Sequence, residues 1–372
     1  MTETRPVTDQ TPSVSVVMAA YNSARHLRAA VDSILGQTLE TLELIVVDDA
    51  STDDTPHILA EYAAADPRVI VLRNETNLGP FASGNRGLAV ARAPIIARMD
   101  ADDISDPTRL ARQVGFLQAH PDHILVGNGY RAIDDEGRVG VVKRKPMDAF
   151  GVRWIMRFRC PIEHPGSTFR AHLPDGTPVR YDESRPIAQD FELFARLTEH
   201  GKAAILPEVL FNYRTHPTNI SSTRTGEQRR ISLDIARSVQ ARDLPPELKG
   251  RLDGVLESYL LGEAATVERV RAGVAAFDAV LAHDIAAHPG ARRWLMRQSA
   301  AILAEAFLRR GGGLRNPRIL LTFLVTARRY LGPLIMRQLE ESGRLPSAVT
   351  SFPDMTEVQA ETWRPTDTAV QR

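Results

Sequence analysis

Residues 94–107 read "PIIARMDADDISDP". An apolar run leads into four carboxylates, Asp100, Asp102, Asp103 and Asp106. Pro94 to Met99 has the length and composition of a buried strand. Alternate side chains of an extended segment point the same way, so Asp100 and Asp102 share a face and Asp103 takes the other. Asp106 reads as the cap of the next helix, with Pro107 at its first position. Two hard carboxylates converging at a strand end repel unless a cation lies between them. Mg2+ or Mn2+ held by oxygen ligands does this, and it usually carries phosphates as well. Solvated loop acids are the competing reading for Asp100 and Asp102.

The same pattern recurs upstream. Residues 13–20, "SVSVVMAA", read as a strand, followed by a helix from Ala24 to Gln37 with Leu27, Ala30, Val31, Ile34 and Leu35 as its apolar stripe. Asn22 or Ser23 offers its N-cap. "LELIVVDD" (42–49) is a second strand, "STDDTP" opens a second helix, and "VIVLRN" is a third strand. "GPFASGNRGLAVARA" is a third helix that delivers the chain to Pro94. Nearly continuous apolar strands alternating with helices predict a parallel sheet covered on both faces. In such sheets ligands bind beyond the carboxyl ends of the strands. The clusters "AAYN", "VVDDAS" and "RMDADD" therefore gather along one edge.

Downstream, "HILVGNGYRAIDDEGRVGVV" reads as strands around a turn and "MDAFGVRWIMRF" as a helix. "STFRAHL" reads as a strand. "PIAQDFELFARLTEHG" is a helix with Ile187, Phe191, Phe194, Ala195 and Leu197 inward and Gly201 as its C-cap. "AILPEVLFNYRTH" is extended, and from Thr225 the pattern is helical.

Bulk properties narrow the class. The chain has 372 residues, 43% apolar and 25% charged, with 46 basic and 46 acidic residues. That suits one large globular domain plus an extension, and the net charge names no partner. The single cysteine, Cys160, excludes an internal disulfide and a cysteine-only metal site. The amino-terminal stretch has no apolar signal core and the apolar run "ILLTFLV" is too short to span a bilayer. A cytoplasmic protein is the expectation.

Taken in order, "SVVMAAYNSARHLRAAVDSILGQT", "LELIVVDDASTDDT", "RNETNLGP", "GNRGLAVARAPIIARMDADD" and "AQDFELFARL" resemble glycosyltransferase family 2 over residues 12–220. The resemblance implies an α/β GT-A fold, a Rossmann-like, mostly parallel sheet with helices on both faces, followed here by an α-helical extension. Pattern and composition divide the chain into a disordered terminus (1–11), a catalytic domain (12–224), a helical region (225–344) and a polar, Pro/Thr-rich disordered tail (345–372). The resemblance further implies inverting transfer of one sugar from a nucleotide-diphosphate sugar to a hydroxyl of a glycan or lipid-linked acceptor. Ala20 and Tyr21 then lie at the nucleotide base, Tyr21 stacking on it, and Asp49 hydrogen-bonds it. Uracil is suggested, and thymine stays open. Asp48 is a structural cap. Asn85 lies where the ribose and phosphates pass. Asp100 and Asp102 hold the diphosphate through a divalent metal, Mn2+ or Mg2+, and Asp103 has an open role. Asp190 matches the general base, with Glu192 as its competitor and Gln189 a small departure from the family pattern. His216 completes the metal site, unless it is an ordinary surface or core histidine. His164 lies in a loop that in the family borders the acceptor, with structural packing as the competing reading.

The signature Gln-X-X-Arg-Trp of processive synthases is missing after Asp190, which points to single additions. Residues 291–337 hold ten arginines and one acid, Glu305, among aromatic and aliphatic residues. One reading is peripheral contact with an anionic membrane. The other is a helical subdomain with an arginine-rich solvent face. Nucleic acid is set aside because no binding motif accompanies the charge. A nucleotidyltransferase would carry a Gly-rich basic loop after the first strand, and a non-catalytic scaffold would lack the acidic pair or the base.

Overall fold

The computed structural model describes residues 11–185, 187–215 and 225–332. Residues 1–10 and 345–372, with His216, lie outside them. The chain forms two compact units, Met1–Val239 and Gln240–Arg372.

The first unit is built on β1 (Val14–Ala20), β2 (Leu42–Asp48), β3 (Val69–Arg73) and β4 (Ile95–Asp100). They pair in parallel in the order β3-β2-β1-β4. Parallel neighbours need crossover connections. These are α1 (Ala24–Leu35), α2 (Thr55–Ala65) and α3 (Pro80–Val90). Strand β2 is buried throughout, as an apolar strand covered on both faces must be. Helix α1 buries Leu27, Ala30, Val31 and Ile34 at helical spacing. Helix α3 comes so close to β1 that a Cβ on Gly87 would lie 2.5 Å from Val17 Cγ1.

Beyond β4 the sheet is mixed. It continues through β5 (Ile104–Ser105), β6 (His123–Ile133), β7 (Val139–Lys143), β8 (Thr168–Arg170) and β9 (Lys202–Arg214). Strand β8 is antiparallel between β4 and β6, and β9 runs parallel to β6. Strand β5 pairs antiparallel with β9, and β7 folds back on β6 as a hairpin. The helices here are α4 (Arg109–Ala119), α5 (Ala149–Met156) and α6 (Gln189–His200).

Two local expectations change. Ser23 holds the N-cap position of α1, but its side chain makes no cap hydrogen bond. The loop after β2 does the work: Ala24 N–H donates to Asp53 Oδ2 at 3.0 Å and Ser23 N–H to Thr55 Oγ1 at 2.9 Å. Helix α4 starts at Arg109, and Thr108 is its N-cap position. Asp106 Oδ1 instead accepts the Thr108 N–H and hydroxyl, holding the turn through Pro107. Gly201 is the C-cap of α6 as expected, with an extended backbone, φ −173°. A Cβ there would lie 3.0 Å from Ile124 Cβ, so any larger residue would crowd β6.

Helix α7 (Thr225–Asp243) carries the chain across the unit boundary. The second unit contains α8 (Asp253–Leu256), α9 (Val267–Ala287), α10 (Arg292–Ala304) and α11 (Pro317–Thr326). Its core includes Val270, Phe277, Leu295, Leu303, Phe307 and Phe323. Asn316 caps α11 by accepting from Arg318 N–H and Ile319 N–H. Among the described residues no helix is long and apolar enough to cross a membrane.

Candidate active site

Strand register brings the acidic ends together. Ala20 stands opposite Asp48, and Ala19 opposite Asp100. Just past β1 the Tyr21 ring is half exposed, while Ala20 is buried and its carbonyl accepts from Asp49 N–H. Asn22 ties the first two strand ends together: its N–H donates to Ser51 Oγ, and its Oδ1 accepts from Thr52 N–H. Asn22 and Ala50 have φ of 48° and 62°, and Ala188, just before Asp190, has 58°. These are the non-glycine residues with positive φ among the described ones, and all flank the predicted site. Left-handed backbone disfavours a residue with a Cβ, so it persists only where its surroundings impose it.

The two acids after β2 turn inward. Asp48 Oδ1 accepts from Ser51 N–H at 3.0 Å, the capping role expected of it. Asp49 is buried and takes three donors: Asn74 Nδ2 at 2.6 Å and Leu78 N–H at 2.8 Å on Oδ1, and Gly79 N–H at 2.8 Å on Oδ2. A carboxylate has about four acceptor positions, so capacity remains at Oδ2. Asn85 is clamped to the segment before α6. Its Nδ2 donates to Tyr181 O and Glu183 Oε1, and its Oδ1 accepts from Tyr181 N–H.

The three acids after β4 separate. Asp103 is buried, and its Oδ1 accepts from Arg214 N–H at 2.7 Å. Arg214 also donates from Nε to Asp102 O and from Nη1 to Asp134 O. It stitches the acidic turn to the end of β9. Burial, then the charges of Asp102 and Asp100, push the Asp103 pKa well up.

Asp100 keeps 41% of its side-chain surface open, yet enough protein surrounds it for desolvation to be the largest influence on its pKa. Arg98 pulls the pKa back, while Asp102 and Asp190 raise it further, and it settles at about 6. Arg98 is fully buried on the same face of β4. Its Nη1 donates to Val17 O at 2.7 Å and its Nε to His164 Nε2 at 3.3 Å. Its Nη2 has no hydrogen-bond partner and lies 4.0 Å from Asp100 Oδ1. Because His164 Nε2 accepts from Arg98, the Tyr181 hydroxyl at 2.7 Å must be a second donor to it. Burial and Arg98 hold the His164 pKa well below its usual value, so the ring is neutral. Below lies Arg109, also fully buried, donating to Arg98 O and Pro165 O.

Asp190 sits in the first turn of α6. Burial raises its pKa, against hydrogen bonds from its own and the Phe191 N–H, and Glu163 adds a smaller push. Glu192, the competing base, is engaged by Arg196, whose Nε lies 3.0 Å from Glu192 Oε1.

Among the described residues no group of three His, Cys, Asp or Glu side chains is arranged to hold a metal. The remaining donors still fit a divalent cation. Asp100 and Asp102 repel each other, Asp100 resists ionisation, and Arg98 Nη2 stops short of hydrogen-bonding distance. Mg2+-type sites need only one or two carboxylates when substrate phosphates supply other ligands.

Residues 15–172 match the model of glycosyl transferase family 2. An uncharacterized glycosyltransferase of Haemophilus influenzae is 32% identical over 235 residues, 61% of this chain and 72% of that one. The chain belongs to glycosyl transferase family 2. This glycosyltransferase is also 31% identical over 226 residues to the succinoglycan biosynthesis protein ExoO of Rhizobium meliloti, 58% of this chain and 64% of that one. Among solved structures it resembles S. aureus TarS 1-349 in complex with UDP-GlcNAc, with a TM-score of 0.55, 18% identity and coverage of 84% and 91%. It likewise resembles the mannosyltransferase PcManGT from Pyrobaculum calidifontis in complex with GDP-Man and Mn2+, with a TM-score of 0.51, 20% identity and coverage of 89% and 88%. Identities this low carry the fold alone. The expected GT-A fold and the helical region after it are both present.

Sequence reasoning missed Arg98, Arg109 and Arg214. Arg98 did carry a signal: a charge within an apolar strand, two residues before a carboxylate and so on its face. Nothing local distinguished Arg109 from an exposed helix arginine.

Proposed function

We propose that this glycosyltransferase moves single sugars with inversion from a UDP-sugar to a hydroxyl of a glycan or lipid-linked acceptor. The observation that carries this is the proximity of Asp190 to Asp100, close enough for the charge of Asp190 to raise the Asp100 pKa.

Asp190 acts as the general base. It takes the proton of the acceptor hydroxyl while that oxygen attacks the anomeric carbon from the side opposite the diphosphate. The bond from the anomeric carbon to the diphosphate oxygen breaks, and its electron pair leaves with the diphosphate. A carboxyl whose pKa is raised toward working pH suits that role. The Glu192–Arg196 pairing favours Asp190 over Glu192. Asp100 and Asp102 would hold a divalent cation, with His216, which lies outside the described residues, as the expected third ligand; an imidazole ligand favours Mn2+ over Mg2+. When bound, the cation neutralises charge on the departing diphosphate.

Tyr21 offers a half-exposed ring for stacking on the base beside Ala20. Asp49 reaches the base through its remaining acceptor capacity while holding the 74–79 loop. Asn85 acts on the donor mainly by fixing Tyr181 and Glu183. ExoO supports a polysaccharide setting in the cell envelope. A cytoplasmic protein in peripheral contact with the membrane through 291–337 would meet a lipid-linked acceptor there.

A thermal-shift screen of nucleotide sugars with and without Mn2+ tests the reading, because a ligand that binds the native state raises Tm. A UDP-sugar should give the largest metal-dependent shift, and its transfer product should have inverted configuration. Lack of any shift, or a retained configuration, would overturn it.

A further inference from the structure

Helix α11 has one buried side and one bare side. Ile319 and Phe323 are buried, and beyond the helix Tyr330 donates its hydroxyl to Asp278 Oδ1. On the other side Leu321, Leu324 and Val325 are 63%, 41% and 59% exposed, and Leu314 before the helix is 59% exposed. The exposed Arg318, Leu321, Val325 and Arg328 recur every three or four residues, so they form one stripe. Arg315 extends it at the start. From Ala306 to Leu339 the sequence has seven arginines and no acid. Arg309 and Arg310 pair with Glu305, and Arg329 pairs with Asp278. Among the described residues no ion pair involves Arg315, Arg318 or Arg328.

We propose that this face docks on an anionic bilayer surface. It deepens the peripheral membrane contact proposed for residues 291–337 and is independent of donor and acceptor. An apolar centre with arginines at both ends fits acyl chains bordered by phosphate headgroups. Ten residues of helix span about 15 Å, too short to cross a bilayer and suited to lying in its plane. A second copy of the same face would set arginines against arginines, so self-pairing is disfavoured. A folded protein partner would have to supply the acids that this stretch lacks.

The test is sedimentation of the full-length protein with vesicles of phosphatidylcholine alone or mixed with phosphatidylglycerol, at low and high salt. Two variants are compared: Leu321→Gln with Val325→Gln, and Arg315→Gln with Arg318→Gln and Arg328→Gln. All five side chains are exposed, so both variants should keep the parental Tm. The parent should bind only the anionic vesicles, and high salt should weaken that binding. The apolar variant should lower the partition coefficient by about tenfold, and the arginine variant by roughly a hundredfold at low salt. Failure of the parent to bind anionic vesicles would overturn the proposal. So would undiminished binding by both variants, a dimer in sedimentation velocity that both variants abolish, or tight RNA binding without vesicle binding.

Discussion

Arg98 lies two residues before Asp100 on the same face of β4, fully buried, with its Nη2 4.0 Å from Asp100 Oδ1. It is the one influence, among those that set the Asp100 pKa, that favours the charged carboxylate. At that distance the attraction is real but incomplete, since no hydrogen bond forms. Under the proposed metal role, the carboxylate is poised between its proton and a cation.

Removing Arg98 should move that balance. Arg98→Met deletes the favourable charge, so the Asp100 pKa should rise above about 6. In the proposed metal site, donor binding with Mn2+ needs the ionised carboxylate, so its pH midpoint should also move upward. Arg98→Lys keeps a charge and should restore part of the shift. Thermal-shift titrations across pH measure this, and an unchanged midpoint in Arg98→Met would refute it.

Asp100 itself should weaken the metal-free fold. Its folded pKa lies above the ordinary 3.8. A raised folded pKa means the folded state holds the proton more tightly, so stability is lost as pH rises between 3.8 and about 6. Asp100→Asn carries no charge to desolvate. In a chelator it should melt above the parent at pH values beyond 6 and converge with it toward acid. Saturating Mn2+ with donor should stabilise only the parent. Equal melting curves at every pH would count against this account.

Asp190→Asn should keep metal-dependent donor binding and lose transfer by roughly 10²–10⁴-fold, the usual worth of a positioned base. In the parent, kcat/KM should rise with pH through a pKa above 3.8, because burial raises that of Asp190 and the proposed base acts ionised. Steady-state kinetics of both proteins measure this. Normal turnover by Asp190→Asn would reassign the base.

Ala188 holds a left-handed backbone at the entrance to α6, two residues before Asp190. Such a conformation costs an alanine about 1–2 kcal/mol. Glycine relieves that strain but adds unfolded-state freedom of about 0.5–1 kcal/mol. Ala188→Gly should change stability by no more than about 1.5 kcal/mol while lowering kcat, because the turn that orients Asp190 loosens. Chemical denaturation and kcat are the two measurements, and an unchanged kcat would show that the strain has no part in orienting the base.

The order of strands and helices was legible in the sequence, as were the three polar strand ends and the α6 helix that bears Asp190. Each depends on neighbours in the chain: apolar runs, helical spacing, turn residues and the alternation of side chains along a strand. Other features were decided by contacts between residues far apart. The inward turn of Asp49 comes from Asn74, Leu78 and Gly79, and the burial of Asp103 is tied to Arg214. The caps and loops follow the same rule, since α1 is capped by Asp53 and Asn85 is spent on Tyr181. Nor does any local pattern mark an alanine for positive φ, because only packing holds it there. The sequence alone determined which acids the chain brings to the sheet edge. Tertiary structure decided which of them face outward, because hydrogen-bonding partners and desolvation exist only once the distant segments meet.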